Sequence, residues 1–279
     1  MKKKFIKIIS FTLVCIIGAF AGYFAGGVVS GKLFTYDPLK DVDVSALYDD
    51  PSKINIKGKK PSDLTAAEVY VVASNKLLSL DNYSINISGT ISADIMNFKQ
   101  DALNLTTKKN GIVSQDMRST SSVVSTACLS TVYSPNKIVV QSGRYTDEND
   151  LNTVVYDGKQ EEYNSTDYAN KFGIVPDGTS AIIVSSKTVI DWKFIGEENG
   201  LFTFEMYTDT VTSTPFYGKQ ISYNSGSSGQ VKFKGIKFVF TVTSDFVLVK
   251  EVRYDEYSLN YFGINANCVS DMVSTYTYN

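Results

Sequence analysis

Catalysis and metal binding need particular side chains at particular spacings, and this chain offers few of them. Its 279 residues contain no histidine, which removes the commonest general base and the commonest metal ligand together. Two acidic pairs, Glu161-Glu162 and Glu197-Glu198, have the composition of the paired acids of glycoside chemistry. Adjacent residues of a strand point to opposite faces, however, so neither pair makes a dyad. Asp147, Glu148 and Asp150 could offer oxygens to a hard cation, but a solvated loop tip is the simpler reading. Asp37, Asp41, Asp43, Asp49 and Asp50 lack the glycine and closing glutamate of a calcium loop. Serines are abundant without a Gly-x-Ser-x-Gly elbow, and no histidine is there to activate one. Cys128 and Cys268 could form one disulfide in an oxidising compartment, or remain buried free thiols. The expectation is therefore a protein that is not an enzyme, with no catalytic residue, cofactor or metal.

The elements that would position any site begin with the amino terminus. Residues 1–7 are a basic tail, and Ile8 to Val29 carry no charge. About 20 apolar residues span the hydrocarbon layer as a helix. Four lysines before the run against Lys32 after it place the tail in the cytoplasm and the rest outside. The expected organisation is a cytoplasmic tail (1–7), a transmembrane anchor (8–30), a tether (31–60) and an extracytoplasmic domain (61–279). A signal peptide cleaved after Ala19-Phe20-Ala21 is the competing reading. Gly18, Gly22 and Gly26 form a small-residue ridge suited to a homodimer or membrane partner. Setting aside the five lysines of residues 1–34 leaves 22 basic against 29 acidic residues. Such a body lacks the basic clusters that nucleic acid requires.

Leu64 to Ile95 reads as an amphipathic helix running into a long strand. Thr65 and Glu68 have capping-box spacing, and Leu64 with Val69 can close a hydrophobic staple. Val69, Val72, Ala73, Leu77 and Leu80 recur at helical spacing. After Asp81-Asn82 the period becomes two, with Tyr83, Ile85, Ile87, Gly89, Ile91, Ala93 and Ile95 on one side. Lys109-Asn110-Gly111 and Glu198-Asn199-Gly200 read as hairpin turns. Ser165 is placed to cap a short helix over 166–172, and Ser180 to Ser185 is open between strand and helical turn. Tyr156-Asp157-Gly158-Lys159-Gln160 and Phe216-Tyr217-Gly218-Lys219-Gln220 read as repeated turn chemistry. The fold class is mainly β (α+β): a curved antiparallel sheet or half-barrel packed on one amphipathic helix, the single long helix expected outside the membrane.

A helix at the domain's start, then an antiparallel meander with Tyr156-Asp157-Gly158-Lys159 as an internal hairpin, resembles the periplasmic lipoprotein-carrier superfamily. In that LolA/LppX-like half-barrel a curved sheet wraps helices around an apolar cavity. The resemblance covers roughly Ser62 to Tyr278, by pattern and order. It implies a lipid or lipoprotein ligand. The cavity candidates are Ile85, Ile87, Ile91, Trp192, Phe194, Phe202, Phe204, Phe238 and Phe240. The function expected is a single-pass, membrane-anchored binding protein of the bacterial cell envelope, of Gram-positive type. The alternative is a surface interaction module with a filled core, using its 18 tyrosines as contact area.

Overall fold

The computed structural model describes residues 43–95, 98–121, 127–135, 137–147, 152–225, 230–261 and 264–278. The expected membrane span and its glycine ridge (Gly18, Gly22 and Gly26) lie outside them. Among the described residues no helix is long and apolar enough to cross a membrane.

Twelve strands form one open antiparallel sheet. The first meander runs β1 (Asn82–Ala93), β2 (Phe98–Lys109), β3 (Ile112–Ser121), β4 (Ala127–Ser134) and β5 (Lys137–Tyr145). Short strands β6 (Val154–Val155) and β7 (Gln160–Tyr163) both add to the edge of β5. The second meander runs β8 (Val189–Glu198), β9 (Leu201–Thr208), β10 (Lys232–Thr243), β11 (Leu248–Tyr261) and β12 (Ile264–Tyr278). β12 returns to pair with β1, joining the two halves with Ile85 opposite Tyr276 and Ala93 opposite Cys268.

Both Asn-Gly hairpins form as expected. Asn110 and Gly111 have φ of 52° and 78°, and Asn199 and Gly200 have 53° and 77°. Two consecutive positive φ values make the turn whose twist matches that of the flanking strands, and asparagine and glycine tolerate them.

Three helices lie on the inner face of the sheet: α1 (Ala66–Ser79), α2 (Ser165–Phe172) and α3 (Pro215–Ser225). The capping box of α1 is complete. The Glu68 amide donates to Thr65 Oγ1 at 3.3 Å, and the Thr65 amide donates to Glu68 Oε2 at 2.9 Å. Val69, Tyr70, Ala73 and Leu77 of α1 are buried against Phe202, Phe204, Phe238, Phe240 and Val242. The Tyr70 ring sits edge-on to Phe240 at 5.2 Å, and Phe240 stacks on Phe204 at 5.4 Å. Each such ring contributes roughly 1.5–3 kcal/mol by leaving water.

Two expectations about helices and one about the tether need correction. Phe216 to Gln220 lies within α3, so its echo of 156–160 is not shared turn chemistry, and α1 is not the only substantial helix. The Thr214 carbonyl accepts from the Gly218 amide at 2.8 Å at the start of α3, and Thr214 Oγ1 donates back to the Thr210 carbonyl at 2.8 Å. From Asp43 the chain is not a free tether. Asp49 accepts from the Ser186 amide at 2.6 Å, and Lys187 Nζ donates to the carbonyls of Ala46 and Tyr48. Ile54 and Ile56 pack against the core. Ser180 to Ser185 is neither strand nor helix, but an irregular segment with Ile182, Ile183 and Val184 buried.

At the seam, Gly89 has no room for a side chain. A Cβ there would lie 2.0 Å from the Asp271 carbonyl oxygen and 2.8 Å from Met272 Cα. These atoms are β12 backbone, which cannot yield without parting β1 from β12. Gly89→Ala should therefore lower stability by about 1–3 kcal/mol, read as a fall in the denaturant midpoint, whereas Gly111→Ala, with no atom near its Cβ position, should cost only its positive-φ strain.

A candidate ligand cavity on the inner face

The strand register assigns each side chain to a face. Ile85, Ile87, Ile91 and Ala93 of β1 share the inner face with Ala102 and Asn104 of β2, Met272 and Ser274 of β12, and Glu251 and Arg253 of β11. Between these strands and the three helices lies a cavity of about 730 Å³. Leu77 and Leu78 of α1, Phe172 of α2 and Ile221 of α3 contribute to its walls. A volume of this size suits a drug-sized or acyl-chain ligand, and such sites are mostly apolar with a few placed polar groups.

Gln100, Asn104 and Gln115 add polar groups from β2 and β3, and the buried charges come from β11. Glu251, Arg253 and Asp255 alternate at period two and all point inward. Glu251 and Asp255 are buried. Tyr70 Oη donates to Glu251 Oε2 at 2.7 Å, which ties α1 to the sheet. Tyr217 Oη donates to Asp255 Oδ2 at 2.7 Å, which ties α3 to it. Arg253 lies between the two acids. Its Nε donates to Asp255 Oδ2 at 3.0 Å, its Nη2 to Tyr217 Oη at 3.2 Å, and its guanidinium sits 4.8 Å from the Tyr217 ring centre.

Burial pushes the Glu251 carboxyl above the ordinary glutamate value, against the opposing pull of Tyr70 and Arg253. Burial disfavours charge on Arg253, but Asp255, Tyr217 and Glu251 around it outweigh that and keep it protonated. The site can thus hold a long apolar group and meet a polar one with a fixed cation and a carboxyl whose charge depends on pH.

Of the expected cavity residues, Ile85, Ile87 and Ile91 line this space. Phe202, Phe204, Phe238 and Phe240 do not: α1 lies directly over that half of the sheet and fills it, leaving these rings fully buried in the core. Trp192 and Phe194 do not line it either. They sit on β8, where the sheet ends, and keep 40% and 38% of their surface exposed. The triad Glu251, Arg253 and Asp255 escaped the sequence reading. Its period-two spacing was a signal for one shared face, but charge on a half-wet sheet points to the wet side.

Of the two readings of the cysteines, the structure has the free thiols. Cys128 and Cys268 are both free and buried. Cys128 is on β4 and Cys268 on β12, with three strands between them. They also occupy opposite faces, since Cys268 pairs with inward Ala93 while Cys128 precedes inward Leu129. Burial raises both thiols to about 11, so they stay protonated and unreactive at neutral pH. Of the acidic pairs, Glu161 is bound by Lys159 and Lys171, and Glu162 by Lys137. In the expected acidic tip, Glu148 and Asp150 lie outside the described residues. Among the described residues no three metal-ligating side chains come together.

No protein-family model matches the chain, and no curated protein matches it. Among solved structures, a DUF1329 family protein from Desulfovibrio piger aligns over 76% of this chain and 89% of that one, at 12% identity and a TM-score of 0.24. GphF dehydratase 1 aligns over 75% of this chain and 81% of that one, at 7% identity and a TM-score of 0.13. Both likenesses are too slight to bear on function.

The buried carboxyl sets a pH dependence. A carboxyl whose value is raised by folding contributes stability below its unfolded value, 4.5 for glutamate, and that contribution is lost as pH rises through the raised value. Glu251→Gln keeps an acceptor for Tyr70 and cannot ionise. Denaturant titrations from pH 4 upward should show the native chain losing stability across that interval, and the Gln variant losing less.

Proposed function

We propose that this protein binds an amphiphile with an acyl chain, a lipid or the lipid moiety of a lipoprotein, in a half-barrel held at the outer surface of the membrane by its amino-terminal segment. The observation that carries this reading is the apolar cavity between β1, β2, β11, β12 and the helices. Filled interiors are the rule in proteins of this size, and the other half of the same inner face obeys it. A large apolar space kept beside a well-filled core is what a binding protein needs.

Anchorage is supported by the uncharged run from Ile8 to Val29 and the lysines before it. A binding role is favoured over catalysis by the engagement of the cavity's polar groups. Glu251 is held by Tyr70, and Arg253 and Asp255 by each other and by Tyr217, which gives these groups the task of positioning helices.

Chain purified from native membranes should carry a lipid that mass spectrometry of the intact protein detects. Ala102 lines the cavity from β2, so Ala102→Trp should fill it. The variant should keep the native circular dichroism spectrum and lose at least about tenfold in affinity for a fluorescent fatty acid, equivalent to about 1.4 kcal/mol. Unchanged binding in a folded Ala102→Trp chain, with no lipid on the native one, would overturn the proposal.

A further inference from the structure

One corner of the domain, beside the cavity's rim, exposes a group of apolar and aromatic side chains. At the start of β8 and the turn after β9, Ile190 and Val211 are 67% and 75% exposed, with Tyr48, Trp192 and Tyr207 also exposed beside them. These positions are neighbours. Lys187 Nζ donates to the Tyr48 carbonyl at 3.2 Å, and the Asp209 amide donates to the Thr188 carbonyl at 2.7 Å. Val189 pairs with Thr208, and Asp191 with Tyr207.

A greasy edge strand is ordinarily a template for another strand. This one is blunted. Register shifts between Val189 and Asp191 and between Phe194 and Gly196 interrupt the ladder of backbone groups, and bulges of this kind are a device against edge pairing. Ile190 and Ile195 are the residues each bulge adds, and both are exposed. The edge thus keeps apolar side chains while losing the backbone regularity a second strand would need. Trp192, Tyr207, Lys187 and Lys193 beside them are the residue types that settle at the bilayer–water boundary. Asp191 stands between Ile190 and Trp192, Glu205 is bridged to Lys193 at 2.8 Å, and Glu197 and Glu198 lie at the far end of the same strand.

The chain leaves the described structure at this corner. Thirteen residues separate Val29 from Asp43, a reach of at most about 45 Å, close to the roughly 45 Å breadth of a compact domain of this size. Anchored there, the corner lies nearer the bilayer than the opposite edge at β5 to β7. Tyr48 also lines the cavity, together with Asp49 and Pro51, so the corner adjoins the cavity's rim.

We infer that the corner formed by Tyr48, Ile190, Trp192, Tyr207 and Val211 docks on the surface of the lipid bilayer, seating the rim of the cavity against the leaflet from which an acyl chain would come. The inference rests on the anchorage proposed above, and the two are tested separately. Trp192 is the only tryptophan of the chain, so its fluorescence reports this surface alone. The full chain is placed in phosphatidylcholine vesicles with plain or dibrominated acyl chains. Brominated lipid should quench most of the Trp192 emission, and Ile190→Asp with Val211→Asp should restore it without moving the thermal midpoint, since both side chains are largely in solvent. Unquenched emission overturns the docking, as does emission shielded instead by a second copy cross-linked through Lys193. Resistance to alkaline extraction reads the anchor by itself. If the chain is released, the anchor reading fails, and quenching is then read on the released chain returned to vesicles, where its presence supports docking and its absence overturns it.

Discussion

Tyr70 and Tyr217 reach from two different helices to two carboxylates of one strand, and the inner face is arranged around those bonds. Glu251 and Asp255 could not stand inside an apolar sheet unpaired, because an uncompensated buried charge costs several kcal/mol. Arg253 between them supplies the cation, and the two hydroxyls supply donors from above. A polar strip that demands partners overhead fixes where α1 and α3 can lie. The helices meet those demands at every group but Asp255 Oδ1, which has no partner among the described residues, and in doing so stand apart from each other, with the cavity in the space between. Satisfying buried charge and keeping an interior space open are here one structural solution.

The two halves of the sheet differ because α1 covers only one of them. Over β9 and β10 its apolar stripe meets a continuous layer of phenylalanines, and close packing follows. Over β1 and β2 the inner face alternates isoleucine with small or polar residues such as Gly89, Ala102 and Asn104, which are too short to reach a helix. α2 and α3 close the far side with Tyr168, Phe172 and Ile221 rather than filling the middle. Residue size along β1 and β2, and the single seam at Gly89 that lets β12 approach β1, therefore decide the volume that remains.

The bulged edge at β8 follows the same economy. Its sheet neighbour β9 is buried on its inner side by α1, while β8, the last strand, packs Val189 on the same core and keeps most of its other side chains in solvent. Trp192 and Phe194 point inward by register and are still half-exposed, because inward at the rim of a sheet is not inside. That distinction links the cavity's edge to the surface that faces outward from it.

Much of this architecture was legible in local pattern. Thr65 and Glu68 announced the start of α1, the switch to period two after Asn82 announced β1, and the Asn-Gly turns announced two hairpins, since capping, alternation and positive φ are properties of neighbouring residues. The inward isoleucines of β1 followed from the same alternation. What local pattern did not contain was the partner of each face. Phe202, Phe204, Phe238 and Phe240 have the same alternation as Ile85, Ile87 and Ile91, yet the first group is core and the second lines a cavity, because only the placement of α1 separates them. Cys128 and Cys268 were equally compatible with a bond until strand order set them on opposite faces with three strands between. The charges of Glu251, Arg253 and Asp255 read as solvent-facing until Tyr70 and Tyr217, 181 and 38 residues away in the chain, arrived to satisfy them. The sequence by itself determined which residues share a face. The tertiary structure decided what each face meets, because burial is a property of the neighbours that long-range folding brings, not of the strand that receives them.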